Sequence, residues 1–192
     1  MVDGAKEPLA ESAASRSVNY NGERRLALEV RSRRLAFAVF QGSDLLDWGA
    51  RSYSTGAVGA TSAIEKLHFL LTLYGQLVVV VRRTRRVKDE SSQSAARVLR
   101  KIGTELKRQS VRLVVVDRRD VQRFFAQFGC HSKHDIALVL ASRFPQLKWR
   151  LPRARRPWDP EAYAVAVFDA IATAVTYDGM PLIPEEVKAE GI

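Results

Sequence analysis

Apolar residues recur at every second position through residues 26–40: Leu26, Leu28 and Val30 alternate with Ala27 and Glu29, and Leu35, Phe37 and Val39 alternate with Ala36 and Ala38. This period of two predicts a half-buried hairpin, two strands around a tight basic turn. A single carboxylate, Glu29, stands on the first strand. An acid among apolar neighbours needs a partner or a task, because burying it alone is costly.

The pattern continues with recognisable punctuation. Gln41-Gly42-Ser43-Asp44 predicts a turn, and residues 45–53 a third antiparallel strand. A Gly-containing loop over 55–60 precedes a helix over 61–74 with Ile64, Leu67 and Leu71 in its stripe, ended by Gly75. The run 76–81 suits a central strand covered on both faces, and 111–116 a second buried strand. Between them, 91–109 places Ala95, Val98, Leu99, Ile102 and Leu106 on one helix face and Arg97, Arg100, Lys101, Lys107 and Arg108 around the rest. A helix is predicted to open at Lys133 and run to about 144. Residues 145–160 form a basic, proline-punctuated connection, and a last helix spans 160–177. The order βββαβαβαα predicts a mixed five-stranded sheet, three antiparallel strands followed by two parallel ones, with helices on both faces.

Taken together, Glu29-Val30-Arg31-Ser32-Arg33 with Ala36-Phe37-Ala38-Val39, Leu45-Leu46-Asp47-Trp48-Gly49 on the third strand, and the Gly129, Lys133 opening of a late helix resemble the RuvC-like resolvases of the RNase H-like nuclease superfamily. The resemblance covers about residues 26–177. It implies an RNase H-like fold over 24–178, between a mobile N-terminal tail (1–23) and a C-terminal tail (179–192).

In that family the metal ligands come from the first strand, the end of the fourth strand and the last helix. The resemblance therefore implies Glu29 as the first ligand, in place of the usual Asp. The fourth-strand position falls at residues 81–83, where the chain offers Arg. On the last helix the motif of an acid followed by Ala-x-Ala-x-Ala fits at both Glu161 and Asp169. These lie about 80° apart around the helix and roughly 12 Å apart along it, so one ion does not readily take both. Asp169, embedded among apolar residues, is favoured over Glu161, which suits a first-turn dipole partner; Asp159 is a further candidate ligand. Mg2+ or Mn2+ is the implied cofactor of an intact site, in two-metal phosphodiester cleavage. The competing expectation is an ion pair between Glu29 and Arg82 or Arg83, with no metal and a retired site that only binds nucleic acid.

Composition sharpens the partner. At 192 residues and 46% hydrophobic content the chain suits one domain. A net charge of +10, carried mostly by Arg, favours phosphate over an acidic protein surface, with an anionic membrane third. The expected nucleic-acid contacts are Arg31, Arg33 and Arg34 on the first turn, Arg82, Arg83, Arg85 and Arg86 after the fourth strand, Arg118 and Arg119 after the fifth, Lys133, and Arg153, Arg155 and Arg156 before the last helix. Trp149 and Trp158, interleaved with these, suit base stacking. The resemblance points to branched DNA or RNA as ligand, and true resolvases of this family are homodimers. If catalytic, the protein is an endonuclease; the rival class is a non-catalytic basic adaptor or assembly protein.

Other chemistry finds little support. Cys130, His131 and His134 fall short of a zinc set, and the single cysteine rules out an internal disulfide. No signal-peptide pattern opens the chain, and the run 77–81 is far too short to span a bilayer. A cytoplasmic protein is expected.

Overall fold

In the computed structural model, residues 23–54, 56–75, 77–83, 90–152 and 163–182 are described. Strands β1 (Arg24–Arg31), β2 (Arg34–Gln41) and β3 (Asp44–Ser52) form an antiparallel meander. Helix α1 (Gly56–Tyr74) leads to β4 (Val78–Arg82), and α2 (Glu90–Arg108) to β5 (Leu113–Val116). Then come α3 (Arg118–Ala126), α4 (Lys133–Arg143), a 3-10 turn (Pro145–Arg150) and α5 (Tyr163–Asp178). The five strands lie in the order β3-β2-β1-β4-β5, with β1, β4 and β5 parallel. Among the described residues no helix is long and apolar enough to cross a membrane.

Both faces of the sheet are covered. On one side Leu26, Leu28, Leu35, Phe37, Val79 and Val81 pack against α1 and α2 through Leu67, Leu70, Val98, Ile102 and Leu106. On the other, Ala27, Ala36, Ala38 and Val80 meet α5 through Val167, Ala170, Ile171 and Ala174, with α3 and α4 beside it. The central hairpin is therefore buried on both faces, not half-buried. Its period of two separates large side chains, which fill the wide space under α1 and α2, from alanines, which let α5 lie close against the sheet.

Two further expectations are corrected. Residues 111–116 read as a buried strand, yet β5 is an edge strand with Val115 about half exposed. A continuous apolar run does not distinguish a central strand from an edge strand shielded by one helix layer. The expected order places no helix between residue 116 and Lys133, yet residues 118–126 fold into α3, capped by the Asp117 carboxylate accepting from the Arg119 N–H at 2.9 Å. Beyond α5, Met180 and Leu182 are buried against the same core.

Candidate functional site

Residues 25, 27, 29 and 31 of β1 point to the same face, because strand side chains alternate, and that face carries α5. Glu29 and Arg31 thereby arrive beside Asp169, at the edge where the parallel strands end. Tyr53, at the end of β3, secures this corner: its hydroxyl donates to the Arg31 carbonyl and its N–H to the Arg33 carbonyl at 3.0 Å. Burial pushes the Tyr53 hydroxyl up to about 12, so it remains a donor.

Glu29 and Asp169 are only 5% and 8% exposed and share their partners. Arg82 Nη2, delivered by the last residue of β4, lies 2.5 Å from Glu29 Oε1 and 3.3 Å from Asp169 Oδ2. Arg31 also bridges the two, with Nε 2.9 Å from Glu29 Oε1 and Nη2 on Asp169 Oδ2. Lys133 Nζ reaches Asp169 Oδ2 at 3.0 Å. It is aimed by a capping box at the start of α4: Ser132 accepts from the Asp135 N–H at 3.1 Å, while the Asp135 carboxylate accepts from the His131 and Ser132 N–H groups at 2.9 and 2.8 Å. Three cations against two carboxylates leave one positive charge in the cluster.

The protonation behaviour divides accordingly. Burial raises the Glu29 carboxyl above its ordinary value, with Asp169 adding to the rise and Arg82 and Arg31 opposing it. Burial acts on Asp169 too, but Arg82, Lys133 and Arg31 together overcome it and hold that carboxyl below the ordinary value. Arg82 itself is buried, which disfavours its charge, yet its two carboxylate neighbours raise its pKa.

A divalent ion does not fit this arrangement. Mg2+ demands close oxygen ligands in an octahedron, whereas Glu29 Oε1 and Asp169 Oδ2 both face guanidinium nitrogens. An ion between the acids would sit against Arg82, with little water to screen the repulsion. Among the described residues no group of three or more His, Cys, Asp or Glu side chains could hold a metal.

The acids placed at 29 and 169 by the sequence are thus brought together. Glu161 and Asp159 lie outside the described residues, as do Arg85, Arg86, Arg153, Arg155, Arg156 and Trp158. Of the expected phosphate contacts, Arg31, Arg82 and Lys133 turn toward the carboxylates, while Arg33, Arg83, Arg118 and Arg119 are exposed around them and Arg34 is half-buried. Trp149 is exposed, with the Arg150 guanidinium 4.4 Å from its ring centre.

A second buried ion pair escaped the sequence reading. Arg25 Nε lies 3.0 Å from Asp178 Oδ1 at the opposite end of α5, and Arg25 Nη2 donates to the Gly42 carbonyl. The available signal was axial spacing alone: Arg25 to Glu29 along the strand and Asp169 to Asp178 along the helix each span about 13 Å, although nine residues turn the two acids about 180° apart around an ideal helix.

No family model and no curated protein sequence matches the chain. Among solved structures it is similar to Thermus thermophilus RuvC in complex with Holliday junction substrate, with a TM-score of 0.59 at 15% identity over 80% of this chain and 91% of that one. A further Thermus thermophilus RuvC structure gives a TM-score of 0.58 at 17% identity, covering 80% and 92%. The chain has an RNase H-like fold of the RuvC-like form.

Proposed function

We propose that this RuvC-like fold serves to bind structured, branched nucleic acid through its arginine rim, and that its carboxylate pair is held shut by internal cations and does not cleave. The observation that carries the reading is Arg82, which contacts Glu29 at 2.5 Å and Asp169 at 3.3 Å. It stands at the fourth-strand position where the resemblance calls for an acid. Together with Arg31 and Lys133, a guanidinium there neutralises both carboxylates without a divalent ion, and its planar fork suits that bridging better than an ammonium would. Binding finds support in the +10 charge, the exposed Arg33, Arg83, Arg118 and Arg119, and a structural neighbour bound to a Holliday junction.

The reading is tested with a labelled four-way junction. Binding weakens steeply with salt, with a log-log slope of about −0.9 per phosphate contacted, and neither Mg2+ nor Mn2+ elicits cleavage by wild type or Glu29→Gln. Metal-dependent cutting by wild type, abolished in Glu29→Gln, replaces the closed site with an active endonuclease. A shallow slope, or no binding to DNA or RNA, favours the adaptor.

A further inference from the structure

The rim does not account for the basic charge on α2. Its exposed residues Arg97, Arg100, Lys101, Lys107 and Arg108 fall within a sector of about 120° around the helix axis. They lie directly opposite the buried Val98, Ile102 and Leu106. Glu105, on the flank of this face, cancels one charge only: it pairs with Arg108 at 2.6 Å and meets His68 Nε2 of α1 at 2.6 Å. These contacts hold its carboxyl down to about 2. Of the five cations, Arg108 alone is drawn into an ion pair among the described residues.

Position makes the stripe a continuation. Helix α2 follows the segment leaving β4 at Arg82 and Arg83, and it runs back along the sheet on the face opposite α5. Arg97 is therefore the end of the stripe nearer the rim, and Arg108 lies about 16 Å further along, close to half a turn of duplex. A straight duplex meets one face of a protein this size. A ligand touching both the rim and the outer face of α2 changes direction at the sheet edge, as the arms of a branched nucleic acid do.

We infer that the outer face of α2 is a second phosphate-backbone surface, which takes one arm of a branched nucleic acid while the rim takes another. The inference rests on the nucleic-acid reading above and adds the residues that make it selective for branches. A self-association role for this face is disfavoured, because two copies would bring four uncompensated like charges against four.

The test compares fluorescence anisotropy of a four-way junction and of a linear duplex with the same arm sequence. Two pairs of variants, Arg97→Gln with Lys101→Gln and Arg100→Gln with Lys107→Gln, each remove two charges from exposed helix positions where Gln keeps helix propensity. A control, Arg24→Gln with Lys66→Gln, removes the same charge elsewhere.

Wild type prefers the junction. Each α2 pair lowers junction affinity roughly tenfold near 0.1 M salt and flattens the salt slope by about two, while duplex affinity and the control stay close to wild type. If the α2 pairs match the control, the second surface is refuted and the rim reading stands. If wild type binds no nucleic acid, both fall. Binding to phosphatidylserine vesicles that the α2 pairs abolish, with junction binding unchanged, overturns the inference in favour of a membrane surface.

Discussion

Replacing Arg82 with aspartate exchanges the bridge between Glu29 and Asp169 for a third carboxylate. Breaking a buried ion pair this way costs about 3–5 kcal/mol, so the variant unfolds at lower denaturant than wild type. Millimolar Mn2+ then raises the melting temperature of Arg82→Asp and leaves wild type unchanged, because a ligand stabilises only the state that binds it. Equal responses of the two proteins to Mn2+ would sink the internal-cation account. At the other end of α5, burial pushes the Asp178 carboxyl up to about 7 despite Arg25, with Glu23 adding to the rise. The folded protein thus keeps that proton to about pH 7, while the unfolded chain releases it near 4. Asp178 consequently weakens the folded state as pH rises from 4 to 7, and Asp178→Asn removes that part of the slope in denaturation at pH 5 and pH 8. Asp169, held low, acts in the opposite sense: its contribution is lost as acid protonates it below the ordinary carboxylate value.

Helix α5 is located by polar contacts at two levels, Asp169 against the end of β1 and Asp178 against its start. These levels, nine residues apart, are about 13 Å apart along the helix, and they oblige α5 to run antiparallel to β1. Between them lies the alanine face of the hairpin, so Ala36→Leu pushes α5 away and costs about 1–3 kcal/mol in urea denaturation. Helix α4 depends on its capping box in the same local manner. Ser132→Ala removes the side-chain acceptor for the Asp135 N–H and costs about 1 kcal/mol. It also frees Lys133 from its aim at Asp169, so a double-mutant cycle of Ser132→Ala with Lys133→Met shows coupling.

At the scale of the molecule, +10 on one domain is self-repelling. Raising salt from about 20 to 200 mM screens the exposed arginines of the rim and α2 but hardly reaches the buried cluster. The melting temperature therefore rises over the interval in which junction binding falls, and a melting temperature that falls with salt would show the surface charges to be net stabilising. Apart from α3, the element order and the mixed sheet were legible from periodicity, because strands and helices impose periods of 2 and 3.6 on any chain that buries one side of them. Glu29 stood out for the same reason, as a charge on a register meant for apolar residues, and Asp169 likewise within α5. The depth of burial of the hairpin, the edge position of β5 and the existence of α3 were not legible, since they depend on what a strand or turn is covered by. The Glu29–Arg82 ion pair was among the expectations and is present, but one dimension does not reveal that Arg31 and Lys133 join it and that Asp169, 140 residues from Glu29, shares the same cations. Local pattern decided which elements form and which residues are out of place in them; only packing decided which charges meet, because ion pairing at a few ångströms is set by where the sheet and helices bring their ends, not by neighbours along the chain.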